Sequence, residues 1–397
     1  MTTLEPYETG FRAQSCNCWN SIRMQWHVAH AETIISCDAV STAILPTQIS
    51  RLNPTQLSTM NANSSISPER LTQLAWGYAP VLIIEAAVQH GLFDRLNHGP
   101  RTLAQLVTDT IASNRGLRAI LNALVGLQLL ARDGDYFALT AESSAFLVST
   151  KTEYRGQFFR HHAQQLLPQW LKLNEVVHTG RPVATTNRED GGAEHFASFV
   201  ESLFPGSFPA ANALGQHLGI AQSAAPVSVL DIGAGSGVWG IALAKQSLQV
   251  CIRAVDWPRV LEVTQRVAMR HGVADRLTTV GGDLFAADFG RGHQIAVLGH
   301  ILHSESRERS RQLLQKIHDA LAPGGTLAIQ EFMPNDDRNG PALPLMFAVN
   351  MLVNTEEGDT YTFSEMSAWL RDIGYINPRL LEVPGPSPLV LANKPGP

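Results

Sequence analysis

The sequence predicts an α/β protein in which a mostly helical half precedes an open sheet of seven strands flanked by helices. A glycine-rich turn at residues 233–240 joins a buried strand to a helix, and strands alternate with helices from there to the C-terminus. Before residue 220, apolar residues recur at helical spacing instead, apart from one short hairpin. A chain of 397 residues is also long enough for more than one domain.

The strand before the glycine-rich turn is an apolar run at residues 227–232. Gly233, Gly235, Gly237 and Gly240 follow it and lead into an alanine-rich helix. Glycines permit a tight turn, and the N-terminus of the next helix offers free N–H groups to a ligand. This succession predicts a Rossmann-like nucleotide-binding unit.

Two classes of cofactor fit this turn. The run from Gly235 to Gly240 fits the GxGxxG pattern of dinucleotide sites. The run from Asp231 to Gly237 fits the acid-x-G-x-G-x-G pattern of S-adenosylmethionine (SAM) methyltransferases. A carboxylate at Asp231 suits the cationic amino-acid end of SAM and would repel a pyrophosphate. SAM is therefore the expected cofactor, and a nicotinamide oxidoreductase is the alternative.

Acidic residues also end the next two predicted strands. Asp256 ends the strand at 250–255, where a carboxylate is placed to accept both ribose hydroxyls. Asp283 follows the strand at 277–282 and is expected to accept from the adenine amino group, with Phe285 against the ring. Later strands are predicted at 295–299 and 326–330, before a closing antiparallel pair at 379–383 and 389–392. The expected cofactor-binding residues are Asp231, Gly233, Gly235, Asp256, Trp257, Gly282, Asp283, Leu284 and Phe285.

Four segments are expected along the chain. Residues 1–62 mix polar and apolar residues without a period, which predicts a disordered leader. Residues 63–153 are expected to form a winged-helix-like dimerisation domain, and residues 154–220 a helical linker that lines the substrate pocket. Residues 221–397 form the predicted cofactor domain. Aromatic residues and histidines of the linker suit an apolar acceptor. The candidate pocket residues are His162, Phe199, Met346 and Asn350.

The N-terminal half indicates self-association rather than binding to nucleic acid or membrane. A winged helix often binds DNA, but here Asp133 and Asp135 occupy the tip of the wing and the net charge is −5. The apolar face of residues 71–96 exceeds what one small helical domain needs, so a homodimer is expected. Four scattered cysteines favour a reducing compartment, and a cytoplasmic location is expected.

Several motifs along the second half of the chain carry a family resemblance. They are Gly-Asp-Leu-Phe at 282–285, Ile-Leu-His at 301–303, Leu-Ala-Pro-Gly-Gly at 321–325 and Asn-Met-Leu-Val at 350–353. With the helical first half, they make the chain from Pro68 to Lys394 resemble the SAM-dependent O-methyltransferases of the plant caffeic-acid and acetylserotonin type. Bacterial relatives in that family modify secondary metabolites.

The resemblance implies a methyl transfer in which a hydroxyl attacks the sulfonium methyl group and a histidine removes its proton. His303 occupies the base position, and Glu331 matches the carboxylate that orients the base. Three positions depart from the family. The sequence reads His303-Ser304-Glu305 in place of His-Asp-Trp, Gly299 replaces a common lysine, and Thr360 stands where a second acid is expected, beside Asp359.

These departures keep other functions open. A C- or N-methyltransferase of a secondary metabolite, or a SAM-binding homologue without turnover, fits the same cofactor motif. The His300-x-x-His303 spacing suggests a metal site, but no HExxH pattern accompanies it, so no metal is expected. The principal prediction is an O-methyltransferase acting on a small, hydroxylated, aromatic molecule.

Overall fold

The computed structural model describes residues 67–396, and the chain from Pro68 onward forms one compact unit. The predicted leader at residues 1–62 lies outside the described residues. Three buried clusters of apolar side chains hold the unit together, one in the helical N-terminal part and one on each face of the large sheet.

The N-terminal part is a helical layer with a small sheet. Its helices are α1 (Glu69–Ala75), α2 (Ala79–Gln89), α3 (Leu92–Leu96), α4 (Leu103–Asp109), α5 (Asn114–Gly126) and α6 (Ala141–Phe146). Strands β1 (Arg101–Thr102), β2 (Leu130–Asp133) and β3 (Tyr136–Leu139) pair antiparallel in the order β1-β3-β2. Two helices followed by this hairpin give the predicted winged-helix arrangement, with Leu117, Leu121 and Leu124 of α5 in its core.

The spacing of apolar residues at 71–96 is helical throughout, but the structure divides this stretch among α1, α2 and α3. Pro80 occupies the first turn of α2, and a proline ring cannot follow a preceding helical turn without a clash. A second break falls at Gly91, whose φ of 61° is left-handed. By length and composition alone Glu69–Gln89 could cross a membrane, but the turn at residues 76–78 interrupts it.

A run of short helices connects this part to the large sheet. It contains α7 (Gly156–His161), a π-helical turn (His162–Leu166), α8 (Leu167–Trp170), α9 (Leu173–Thr179), α10 (Glu189–Ala197) and α11 (Phe204–His217). Two 3₁₀ turns, Val200–Leu203 and Ile220–Gln222, flank α11. These elements pack near the cofactor half through Phe196, Val200 and Phe204.

The large sheet has the seven strands that the sequence predicts. They are β4 (Val227–Ile232), β5 (Val250–Asp256), β6 (Leu277–Gly281), β7 (His293–Gly299), β8 (Leu321–Gln330), β9 (Ile376–Leu381) and β10 (Leu389–Asn393). Their order is β6-β5-β4-β7-β8-β10-β9, and β10 runs antiparallel to both of its neighbours while the other pairs are parallel. The closing antiparallel hairpin is therefore confirmed.

Helices cover both faces of this sheet. They are α12 (Val238–Gln246), α13 (Pro258–Arg270), α14 (Arg307–Ala320), α15 (Ala342–Asn354) and α16 (Phe363–Ile373), with 3₁₀ turns at Ala274–Arg276 and Leu302–Ser304. Successive residues of β4 face opposite sides, so Val229 packs in one cluster and Leu230 in the other. The parallel strands end at one edge, where α/β sheets bind their ligands.

Candidate active site

A cleft lies at this carboxyl edge of the sheet and encloses about 1050 Å³, counting its open mouth. That volume is sufficient for a nucleoside-sized ligand and a small molecule beside it. Of the predicted cofactor residues, the cleft is bordered by Gly233, Gly235, Asp256, Trp257, Gly282, Asp283, Leu284 and Phe285. The sequence therefore predicts one wall of the cleft almost completely.

The glycine loop is shaped so that backbone, not side chain, faces the cleft. Gly233 and Gly235 have φ angles of 61° and 55°, which only glycine adopts without strain. A Cβ atom on Gly233 would lie 2.3 Å from Cδ1 of Ile301, which leaves no room for it. At Gly235 the nearest atoms to such a Cβ are in Val200, 3.8 Å away, so the loop surface is open there.

Asp231 does not border the cleft, in contrast to the predicted contact with the cofactor. Its side chain is fully buried behind the loop, and Oδ2 accepts a hydrogen bond of 2.9 Å from the backbone N–H of Gly240. Oδ1 is buried without a partner among the described residues. Burial raises the pKa of Asp231 to about 7. The carboxylate therefore fixes the first turn of α12 beneath the loop.

Asp256 closes the loop from the next strand. Its Oδ2 accepts from the N–H of Gly235 at 2.8 Å, and its Oδ1 accepts from the N–H of Trp257 at 2.7 Å. Burial raises the pKa of Asp256 to about 6, although both backbone hydrogen bonds oppose that shift. A carboxylate has about four lone-pair sites, so this one can accept further hydrogen bonds from a ligand in the cleft.

The far end of the cleft combines an acid with an aromatic ring. Oδ1 of Asp283 accepts from the N–H of Phe285 at 2.8 Å, which fixes the short loop after β6. The guanidinium of Arg309 lies 3.8 Å from the centre of the Phe285 ring. With open glycine backbone at one end and hydrogen-bond acceptors along the wall, these residues fit SAM.

His303 and Glu331 form a buried pair at the edge of the cleft. Nδ1 of His303 lies 2.6 Å from Oε2 of Glu331, and the backbone N–H of His303 donates to Oε1 at 3.4 Å. Glu331 is only 1% exposed, whereas His303 borders the cleft. Burial would raise the pKa of Glu331, but the imidazole beside it holds that pKa below its usual value. When Nδ1 carries the ring proton and donates it to Glu331, Nε2 of His303 keeps its lone pair.

His300 stands beside this pair in a strained conformation. Its φ is 60°, its ring lies 4.6 Å from that of Phe332, and its Nδ1 is buried without a partner among the described residues. Burial lowers the pKa of His300 to about 4, so the ring is neutral at neutral pH. Ligand atoms of His300, His303 and Glu331 lie within 4.8 Å of one another. Nδ1 of His303 and Oε2 of Glu331 are joined by the hydrogen bond described above.

The structure accounts for one of the three departures from the family, at Gly299, and shows the surroundings of another, at Thr360. A Cβ at Gly299 would lie 2.2 Å from Nε1 of Trp239, so the indole fills the space that a lysine would need. Asp359 is engaged elsewhere, since it lies 3.8 Å from Arg338 and accepts from the N–H of Thr360. Thr360 is fully buried and leaves Oγ1 without a partner among the described residues. Neither Asp359 nor Thr360 borders the cleft.

The four predicted acceptor-pocket residues lie outside the cleft lining. Phe199 stacks on His161 at 3.7 Å between ring centres and borders a separate surface pocket. Nδ1 of His162 bonds to the carbonyl of Phe158, and Met346 is 55% exposed. Asn350 accepts a hydrogen bond from Nε1 of Trp170 at 2.9 Å. The aromatic composition of the linker did not reveal which of its faces turns toward the cleft.

Two aromatic side chains that the sequence did not single out stand next to the His303–Glu331 pair. Phe347 meets the ring of His303 edge-on at 4.8 Å and lies 4.2 Å from Phe332. Phe332 directly follows Glu331, and Phe347 lies one helical turn before Asn350, so both positions were adjacent to residues already singled out. The cleft is further bordered by Asn187, Trp239 and Glu305, which no motif identified.

Comparison with known proteins identifies the family. A family model described as an O-methyltransferase domain matches residues 221–376, and one described as an O-methyltransferase dimerisation domain matches residues 72–149. The chain is 30% identical over 321 residues to 3-hydroxy-5-methyl-1-naphthoate 3-O-methyltransferase of Streptomyces sahachiroi, covering 80% of this chain and 92% of that protein.

Solved structures agree with this fold. A putative O-methyltransferase from Nostoc punctiforme is 28% identical and superimposes with a TM-score of 0.74, covering 83% of this chain and all of the other. Human N-acetylserotonin methyltransferase in complex with SAM is 21% identical, with a TM-score of 0.72, 85% of this chain covered and all of the human chain. The protein belongs to the SAM-dependent O-methyltransferase family and carries that family's dimerisation domain ahead of its catalytic domain.

Proposed function

We propose that this enzyme methylates a phenolic hydroxyl of a small aromatic metabolite and that His303 is the general base. The observation that carries the proposal is the 2.6 Å hydrogen bond between Nδ1 of His303 and Glu331 at the edge of the cleft. A base held by a carboxylate, with its second nitrogen free, is arranged to take a proton from a bound hydroxyl. The Streptomyces relative, by its name, methylates the 3-oxygen of a hydroxynaphthoate.

The residues around the base support an aromatic acceptor. SAM, when bound, supplies a sulfonium methyl group as the electrophile. A phenol has a pKa of about 10, so it is mostly protonated at neutral pH and benefits from a base. Nε2 of His303 takes that proton, and the buried Glu331 stabilises the imidazolium that results. Phe332 and Phe347 provide apolar faces beside His303, which suit a flat ring.

We assign the cofactor contacts from the same geometry. Asp256 accepts from the ribose hydroxyls, and Asp283 accepts from the adenine amino group, with Leu284 and Phe285 against the ring. Gly233 and Gly235 offer open backbone to the amino-acid end, supported from beneath by Asp231. Trp257 and Gly282 complete the wall. The support for this assignment is that all of these residues except Asp231 border one cleft.

We also propose that the chain acts as a homodimer in the cytoplasm, with domain limits near residues 63–153, 154–220 and 221–397. Helix α1 buries none of its side chains, and Leu71, Leu74 and Trp76 on it and just after it are more than half exposed. A second copy is the occupant expected, because the matched dimerisation domain at residues 72–149 contains Leu74 and Trp76. The free, exposed thiol of Cys251 suits a reducing compartment.

Replacing the base tests the proposal. His303→Ala is expected to lower turnover by roughly 10²–10⁴, the usual contribution of general-base catalysis, while SAM affinity stays within a few-fold. Glu331→Gln should lose less, because it orients the base without receiving the proton. Turnover is measured with methyl-labelled SAM and a panel of hydroxylated aromatics, and SAM affinity by calorimetry.

The control for this test must lie away from the cleft. His300→Ala does not serve, since His300 borders the cleft and contacts Phe332. His98 is exposed after α3, and His98→Ala should leave turnover unchanged. Full turnover in His303→Ala on the true acceptor would contradict the role of this histidine.

Methylation of carbon or nitrogen is the second candidate. The observation that favours it is the buried Thr360 at the position of the expected second acid, because an acceptor that loses no hydroxyl proton needs less acid–base assistance. Analysis of the labelled product by mass spectrometry and NMR distinguishes the three types of methylated atom.

A further inference from the structure

We infer that Glu305 recognises the adenine ring of the cofactor, because its carboxylate accepts a hydrogen bond from the 6-amino group. The inference concerns a residue that stands at a departure from the family pattern, where His-Asp-Trp is replaced by His303-Ser304-Glu305. It depends on the SAM cleft described above and assigns a specificity-determining contact within it.

The carboxylate of Glu305 is buried, yet one of its oxygens has no hydrogen-bond donor. The residue is 6% exposed and borders the cleft. Oε2 accepts from Nε of Arg309 at 2.5 Å, whereas no donor from residues 67–396 reaches Oε1. Because Glu305 borders the cleft, this oxygen is available to a ligand that offers an N–H, and a hydrogen bond to a charged acceptor adds affinity.

The position of Glu305 along the cleft points to the adenine end. Arg309, its partner, also covers the ring of Phe285 at 3.8 Å. Arg309 therefore links Glu305 to Phe285, and both of these residues border the cleft together with Asp283. Burial is the main cause of the raised pKa of Glu305, and Arg309 opposes it. The negative charge of Asp283 raises the pKa of Glu305 further, which agrees with the two carboxylates being close together.

The backbone around Glu305 holds the carboxylate in place before any ligand binds. Its carbonyl accepts a 2.6 Å hydrogen bond from the hydroxyl of Tyr361, which is itself buried. Its N–H donates to the carbonyl of Leu302 at 3.1 Å and so closes the 3₁₀ turn that carries His303. An acceptor fixed in this way loses little conformational entropy when it receives a hydrogen bond.

The chemistry of two neighbouring acceptors selects for an exocyclic amino group. A 6-amino group carries two N–H donors, so Asp283 and Glu305 can each accept one. A 6-oxo group at the same place, as in an inosine, would set an acceptor against two carboxylates. A site built to receive a donor rejects an analogue without it, because the buried acceptors are then left unpaired.

The test compares two nucleosides that differ only at this group. Calorimetry measures the binding of S-adenosylhomocysteine and S-inosylhomocysteine to the full-length protein, to Glu305→Gln and to Glu308→Gln. Glu308 is exposed on α14, which begins two residues after Glu305, so Glu308→Gln should match the wild type. In the wild type we expect the amino compound to bind at least about a hundredfold more tightly. In Glu305→Gln that ratio should fall about tenfold or more, because an amide donates to the 6-oxo group.

Glu305→Asp provides a second variant that keeps the charge beside Arg309 but withdraws the carboxylate by one methylene group. It should lose about tenfold in affinity for S-adenosylhomocysteine and also show a reduced ratio. Thermal unfolding of each free variant verifies that the cleft is folded. If the ratio of the two affinities is unchanged in a folded Glu305→Gln or Glu305→Asp protein, the inference is overturned. Asp283 would then be the residue that recognises the amino group.

Discussion

Asp256 carries two backbone hydrogen bonds and still has a pKa of about 6, because burial penalises its charged form more than those bonds favour it. In the proposed complex a ribose diol donates to the carboxylate, so the ligand favours the ionised form. The affinity for this ligand is therefore greatest when the pH lies above the pKa of Asp256 in the free enzyme, and it falls as the pH drops below that pKa. At pH 5 about one tenth of the population is ionised, which predicts binding about tenfold weaker than at pH 8.

Calorimetric titration of S-adenosylhomocysteine between pH 5 and pH 8 measures this effect. Asp256→Asn removes the titrating group and should flatten the profile below pH 6, although its affinity is lower throughout. A wild-type affinity that does not change over this range contradicts the prediction. A variant profile as steep as the wild type would assign the titration to Asp231 instead.

At single positions, sequence reasoning predicted the location of residues that stand at the end of a strand. Asp256, Asp283 and Gly233 follow strands whose apolar runs are clear, so their position at the carboxyl edge was predictable. Which side a residue faces was harder. Asp231 lies inside a strand on the same face as Val229, so its side chain turns beneath α12 rather than into the cleft.

Helix α12 is held against β4 and β5 by the absence of a side chain at Gly240. A Cβ atom there would lie 2.6 Å from Cγ2 of Ile252 and 3.1 Å from Oδ2 of Asp231. Gly240→Ala must therefore push the helix away from the sheet and stretch the Gly240–Asp231 hydrogen bond. We expect the free energy of unfolding to fall by about 1–3 kcal/mol, the usual cost of overpacking, and SAM affinity to fall with it.

Gly126→Ala is the matched control at the last residue of α5. Nothing lies within 4 Å of a Cβ atom there, and alanine is the better helix former. Urea unfolding should show that variant equal to the wild type or slightly more stable. Equal stability of Gly240→Ala and wild type would show that the helix accommodates the methyl group without moving.

At the scale of elements, the existence of each strand was predicted better than the residues at which it begins and ends. The predicted start of β8 at residue 326 follows from the Pro-Gly-Gly turn before it, yet the strand begins at Leu321. His293 pairs with Leu321 and Ile295 with Thr326, so the turn residues form an irregularity inside the pairing. Pairing with a distant strand determines where such a strand begins, and the local sequence alone does not predict that pairing.

On the scale of the molecule, the order of domains and the number of strands followed from periodicity, but the aromatic surroundings of His303 did not. Phe332 follows β8 and Phe347 lies on α15, and the packing of α15 against the 3₁₀ turn Leu302–Ser304 brings Phe347 to His303. Contacts between elements that are far apart in sequence determine this grouping. The cofactor wall was predictable because consecutive strand ends compose it.

The proposed homodimer depends on an apolar surface at the N-terminus of the described chain. Leu74 and Trp76 are 65% and 62% exposed, and the Trp76 ring stacks on Tyr78 at 6.3 Å. Exposed aromatic and leucine side chains grouped on a helix and the turn that follows it are typical of a surface that a partner covers. Each fully buried side chain of this size contributes roughly 1.5–3 kcal/mol.

Glutamates at these two positions would place charges in the interface, so Leu74→Glu with Trp76→Glu is expected to raise the dimer dissociation constant by about a hundredfold or more. Sedimentation at micromolar concentration should show a dimer for the wild type and a monomer for the double variant. Leu248→Glu changes an 84% exposed leucine on the loop before β5 and should remain a dimer. A double variant that dimerises as well as the wild type would place the contact between subunits elsewhere. A wild type that is a monomer would contradict the homodimer itself.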